Sequence, residues 1–168
     1  MTSMEPPRGF ETFFAEERDR LLRALYLLTG NAEEAEEILQ DAFLAVWERW
    51  DRVGAMEEPT GYLFRTALNR HRSLARRAAR AARRAVGQAH GGDLFGEAEE
   101  RDEVARALAT LTPRRRQAVV LTTMLGYGSA EAGRAMGVSD STVRRLAQDA
   151  RAVLREELRG HEEIDDDT

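Results

Sequence analysis

Apolar residues fall at helical spacing along almost the whole chain. Phe10, Phe13 and Phe14, then Leu21, Leu22, Leu25 and Leu28, fit one face of a first helix ending near Gly30. In "NAEEAEEILQDAFLAVWERW" the apolar positions are Ala35, Ile38/Leu39, Ala42/Phe43, Val46/Trp47 and Trp50, again at steps of three and four. Asn31 and Glu34 make a capping pair, and acids crowd the first turns, where the helix dipole favours them. Phe43 and Trp47 are expected in the core. "DRVGAMEEPTG" breaks the pattern as a loop, and a further helix follows from Tyr62 with Leu63, Phe64, Ala67, Leu68 and Leu74 on its apolar side. "GQAHGGDLFGEAEERD" is glycine-rich and acidic, the composition of a flexible linker. A second helical unit begins near Glu103, with Thr112 as N-cap and Pro113 in the first helical position. Gly126 and Gly128 punctuate its next turn, and "GHEEIDDDT" reads as a frayed acidic tail.

Nothing alternates with the period of a strand. The pattern predicts an all-α chain of two small helical domains joined by a flexible linker. The expected boundaries are a disordered tail over 1–9, a first domain over 10–86, a linker over 87–102, a second domain over 103–160 and an acidic tail over 161–168.

Charge changes this picture. The chain of 168 residues has a net charge of -5, and all 25 of its basic residues are arginine. Yet from Tyr62 to Val86 there are 8 arginines and no carboxylate, between a first stretch (Met1 to Gly61) of 14 acids against 6 arginines and a stretch (Gly87 to Glu103) of 6 acids against 1 arginine. From Val104 to Gly160 the count is 5 acids to 10 arginines. A partner meets these segments, not the average. Arginine binds phosphate in a planar, bidentate way, so both basic segments suit a nucleic acid.

Other classes recede. No apolar run approaches the roughly 18 residues of a membrane span, and "MTSMEPPRGFETFF" lacks the regions of a secretory signal. Without cysteine there is no disulfide framework or thiolate metal site. A bacterial cytoplasmic protein is expected. His71, His90 and His161 stand apart from one another, and phosphate-loop glycine motifs are absent, so no enzymatic activity, metal or cofactor is expected.

"SAEAGRAMGVSDSTVRRLAQ" has helix-turn-helix spacing. Gly133 sits where two helices cross closely, and Gly137 sits where the turn needs a positive φ. Ala132, Met136, Val138, Val143 and Leu146 are expected to bury the pair, with Ser139 capping the second helix. Ser141, Thr142, Arg144, Arg145 and Gln148 are left outward, the groups that read base edges and phosphates in a major groove.

Three stretches together, "AEEAEEILQDAFLAVWERWD", "EPTGYLFRTALNRHRSLARR" and "LATLTPRRRQAVVLTTMLGYGSAEAGRAMGVSDSTVRRLAQDARAVLREEL", resemble the ECF (group IV) sigma factors of bacterial RNA polymerase, from about Phe10 to Leu158. The first two resemble sigma region 2 and the third region 4. The resemblance implies that Glu36, Glu37, Gln40 and Asp41 bind the β′ clamp helices of core polymerase. It implies that Arg65, Asn69, Arg70, Arg72 and Arg76 hold the melted non-template strand at the minus-ten element, with the loop from Asp51 to Gly61 shaping a base pocket. A strand held open is tracked by positive charge, which accounts for the missing carboxylates. Tyr62 and Trp50 are candidates for stacking on bases. In region 4, Ser141, Thr142, Arg144, Arg145 and Gln148 would read the minus-thirty-five duplex, with Arg114, Arg115 and Arg116 on flanking phosphate. The β flap of polymerase and an anti-sigma factor are further partners implied by the resemblance. The sequence departs from the family's usual residues at Tyr62, Ser73, Leu146, Ala147 and Asp149, and Asp149 near the DNA face is expected to weaken phosphate binding. The alternative reading is a stand-alone helix-turn-helix regulator with a helical dimerisation or sensor domain.

Overall fold

The structure, a computed structural model, describes residues 9–84 and 103–165, with side chains through Arg159. The expected linker over 87–102 and the first eight residues of the expected N-terminal tail lie outside the described residues. Among the described residues every regular element is helical: α1 (Phe10–Thr29), α2 (Ala32–Trp47), a single turn α3 (Trp50–Val53), α4 (Pro59–Arg84), α5 (Glu103–Ala109), α6 (Pro113–Val119), α7 (Ser129–Met136) and α8 (Asp140–Asp165). They divide into two compact units, one of residues 9–25 and 33–84 and the other of 26–32 and 103–165, the boundary falling inside α1.

In the first unit the core takes Phe13, Leu21 and Leu25 from α1, Ile38, Leu39, Phe43 and Val46 from α2, and Leu63, Phe64 and Leu68 from α4. Each such side chain removed from water stabilises the fold by about 1.5–3 kcal/mol before chain entropy is counted. Aromatic rings hold one end of this core. Phe13 lies 5.0 Å from Trp50 and 6.3 Å from Phe43, while Phe10 meets Trp50 edge-on at 5.4 Å. Trp50 is thus half-buried, with Phe10 and Phe13 against its indole.

The core position of Trp47 is a correction. A helix turns about 100° per residue, so only one of two adjacent apolar residues faces straight inward. Val46 takes that place at 0% exposure and Trp47 stands at 59%. The loop is also shorter than expected. The chain makes the turn of α3, with the Gly54 amide on the Trp50 carbonyl at 2.7 Å, and α4 starts with Pro59 in its first turn. A Cβ on Gly54 would sit 2.9 Å from the Trp50 indole, so this close return needs glycine.

In the second unit Thr112 caps α6 by accepting the Arg115 amide at 3.5 Å. The helix then widens into a π-helical turn over Val120–Met124, closed by the Leu125 amide on the Val120 carbonyl at 3.2 Å. Gly126 follows at φ 69°. The helix-turn-helix forms as the spacing predicts. Gly137 is left-handed at φ 70°, and a Cβ on Gly133 would lie 2.7 Å from the Val138 carbonyl oxygen. Ser139 accepts the Thr142 amide at 3.2 Å as the cap of α8. Ala132 and Val143 are buried as expected, whereas Met136, Val138 and Leu146 are half-buried. Ala147 and Ala150 complete the inner face, because steps of four and three from Val143 lead to them. Helix α8 continues to Asp165, past Gly160 where a frayed tail was expected.

Candidate nucleic-acid interface

Helix α4 displays two faces because its apolar residues fix one of them. Leu63, Phe64, Ala67, Leu68 and His71 turn inward. Arg65, Asn69, Arg72 and Arg76, at steps of four, three and four, then share the outer face. Arg65, Asn69 and Arg76 are exposed and Arg72 is half-buried. With no carboxylate on the helix, this face is cationic over its whole length.

Arg70 does not join them. Its Nε lies 2.7 Å from Asp41 Oδ2 on α2, close but out of hydrogen-bond alignment. Four of the five strand candidates share one face, and the fifth faces the acidic helix. Tyr62 is half-buried, with its hydroxyl accepting from Arg52 Nη2 at 3.5 Å, so the guanidinium occupies one side of this candidate stacking residue.

On α2, Glu36, Glu37 and Gln40 are exposed and Asp41 is half-buried beside Arg70. The same outer stripe runs on into Leu44 and Trp47, both more than half exposed. Sequence pattern hid these two because every apolar residue at helical spacing counts equally toward the core. Between the two helices His71 is buried, its Nδ1 4.0 Å from Glu34 Oε1 and without a hydrogen bond. Burial pushes the His71 imidazole below its ordinary value of 6.5. Burial, and then Glu37, push the Glu34 carboxyl above 4.5. The contact is across helices, so spacing along the chain gives no sign of it.

The helix-turn-helix sorts its own candidates. Ser141, Arg145 and Gln148, at steps of four and three, form the outermost row of α8 and are all exposed. Arg144 lies to one side, its Nη1 3.0 Å from Asp140 Oδ2. Thr142 is half-buried, with its hydroxyl 2.8 Å from that of Ser139. Asp149 is half-buried against Arg115 at 3.5 Å, so its charge meets a guanidinium of α6 instead of lying open on the DNA face. Arg116 is not placed for phosphate. It is 2% exposed and donates to the Leu108 carbonyl at 3.0 Å and the Leu111 carbonyl at 3.1 Å, tying α5 to α6. Burial pushes its guanidinium down from the usual arginine range. Arg114 remains exposed.

Among the described residues no cluster of histidine, aspartate and glutamate has the arrangement of a metal site. No described helix is long and apolar enough to cross a membrane.

Known proteins are similar to this chain in sequence and in fold. A family model described as Sigma-70 region 2 matches residues 13–81, and one described as Sigma-70, region 4, matches residues 101–154. The chain is 28% identical over 151 residues to the RNA polymerase sigma-E factor of Streptomyces avermitilis, covering 89% of this chain and 84% of that one. It is 29% identical over 147 residues to the ECF RNA polymerase sigma factor SigM of Mycobacterium tuberculosis, covering 87% and 75%. Among solved structures, the sigma factor RpoE of Bartonella quintana, crystallised with the anti-sigma factor NepR, is similar at a TM-score of 0.68 and 22% identity, over 89% of this chain and 96% of that one. CnrH, solved in complex with the cytosolic domain of CnrY, is similar at 0.56 and 27%, over 90% and 88%.

Proposed function

The chain belongs to the sigma-70 family, as an ECF-type RNA polymerase sigma factor, and on that premise we propose how its residues divide the work of starting transcription. The factor binds core polymerase and directs it to promoters. Residues 10–86 form the domain that docks on polymerase and holds the minus-ten element, and residues 103–160 form the domain that grips the minus-thirty-five duplex. The stand-alone regulator reading gives way, because the region 2 match covers the helices that it would assign to dimerisation or sensing.

Glu36, Glu37, Gln40 and Asp41 on α2 meet the β′ clamp helices. Arg65, Asn69, Arg72 and Arg76 on α4 track the phosphates of the melted non-template strand. On α8, Ser141, Arg145 and Gln148 reach base edges, while Arg144 and Thr142, with Arg115 of α6, stand at the margin toward phosphate. The bond-making belongs to the polymerase, so the chain itself catalyses nothing and acts where the polymerase is, in the bacterial cytoplasm. An inhibitory partner covers these surfaces when the factor is idle. Support comes from the related CnrH, held by the cytosolic domain of another protein. The net charge of -5 keeps the free factor from binding duplex tightly.

The observation that carries this reading is one unit bearing an acidic face on α2 and a carboxylate-free, arginine-rich face on α4, in that order, with the region 2 match over α2 and all but the last turn of α4. The test is transcription of genomic fragments by sigma-free core polymerase with the purified factor, followed by mapping of the transcript starts. New starts sharing a two-part upstream motif are expected. Failure to bind core, or nanomolar binding of duplex by the free factor at physiological salt, contradicts it.

A further inference from the structure

The cationic face of α4 does not stop where the folded body does. The last buried residue of the helix is His71 and the last half-buried one is Leu74; residues 75–84 are exposed on every side. That stretch, "ARRAARAARR", holds only alanine and arginine. At 3.6 residues per turn Arg76, Arg77, Arg80, Arg83 and Arg84 fall within about a third of the helix circumference, and the alanines take the rest. Arg76, Arg80 and Arg83 prolong the row of Arg65, Asn69 and Arg72 at unbroken steps of three and four. At about 1.5 Å per residue the row from Arg65 to Arg83 runs roughly 27 Å.

This projection has no packing to hold it. Alanine and arginine are strong helix formers, and the packed part of α4 supplies the nucleus from which it grows. Its like charges, three and four residues apart, oppose the helix. Arg80 Nε leans on the Arg76 carbonyl at 3.4 Å, and the other four guanidinium groups make no ion pair among the described residues. A row of anions removes that repulsion. The stretch has no aromatic ring to stack on a base and no amide or hydroxyl side chain to read one, so it suits phosphates and not bases. A duplex presents one charge per roughly 1.7 Å of axis, a denser row than a single strand offers.

Building on the reading of α4 as the helix that holds the melted strand, we infer that residues 77–84 form a second, sequence-independent site for the phosphates of the adjoining duplex. The test compares holoenzyme carrying wild-type factor, the R77A/R80A/R83A/R84A variant, or the matching four lysine substitutions. Alanine favours the helix, so the variant keeps its fold. Affinity is measured from about 50 to 300 mM salt on two probes, a mapped promoter duplex and its non-template strand alone. Loss of four phosphate contacts flattens the slope of log K against log salt on the duplex by about three to four. Core affinity and the single-strand slope stay unchanged, and the lysine variant follows wild type. An unchanged duplex slope overturns the inference, as does equal flattening on both probes, which makes the stretch a strand-tracking element. Wild-type holoenzyme that binds neither probe brings down the underlying sigma reading together with this site.

Discussion

Single residues in this chain take roles that their neighbours in space decide. Arg70 belongs by sequence to the arginine helix, yet its guanidinium is spent on Asp41 at 2.7 Å. Both groups are about a third exposed or more, so the pair contributes at most about 1 kcal/mol to stability. Its consequence is positional: Arg70→Ala is expected to weaken capture of core polymerase, through a less ordered Asp41, more than it weakens binding of a single-stranded minus-ten oligonucleotide. Anisotropy titrations with core and with the oligonucleotide separate the two. His71 gives a pH prediction. Its folded-state pKa lies below 6.5, so between that value and 6.5 the unfolded chain binds more protons and stability falls as pH falls. Glu34, raised above 4.5, works in the opposite sense from 4.5 upward to its folded value. Urea unfolding from about pH 7.5 down to 5.5 is expected to show progressive loss that starts near 6.5 in the native chain. In His71→Leu that loss is absent. The pairings of Arg70 and His71 were not legible in the sequence, because both join helices that sit some thirty residues apart in the chain.

At the scale of the element, local rules read the helix-turn-helix well. A positive φ at Gly137 and a cap at Ser139 depend on one residue and its immediate neighbours, which is what sequence states directly. Gly133 combines both scales: the spacing predicts a close crossing, and the 2.7 Å approach of the Val138 carbonyl oxygen is that crossing. Gly133→Ala is expected to destabilise the second unit by about 1–3 kcal/mol, since backbone must shift to admit the methyl group. Thermal unfolding, with Ala135→Gly in the last turn of the same helix as a control, measures it. Arg116→Ala strips both carbonyl partners from the α5–α6 join and is expected to cost about 2–3 kcal/mol. An Arg114→Ala variant, on the exposed neighbour, stays near native stability. What the period could not decide was which of Val46 and Trp47 faces inward, or that Ala147 and Ala150 rather than larger residues line the inside of α8. Adjacent apolar residues look alike to a helical template, and only packing distinguishes them. On α8 the outermost row predicts that Arg145→Ala loses about 1–3 kcal/mol of base discrimination in the upstream element. Arg144→Ala, already paired to Asp140, weakens promoters of different upstream sequence more evenly. Selection from a randomised upstream element reads both.

For the whole molecule, net charge conceals the design. An acidic chain sets 8 arginines and no carboxylate on α4 against five carboxylates and no arginine on α2, and in the proposed reading polymerase and DNA meet these different faces. The fold class and the order of the two regions were legible because helical period and the two motif stretches are properties of the chain itself. The central claim is that docking and strand capture reside on separate helices of one unit. The most direct measurement pairs core-polymerase affinity with promoter melting, read by permanganate reactivity of unpaired thymines, for Asp41→Arg and for the Asn69→Ala/Arg72→Ala double variant. Asp41→Arg is predicted to lose core affinity, and the double variant to keep it while thymine reactivity falls. Equal losses of both properties in both variants, or melting that survives the double substitution, would contradict the account.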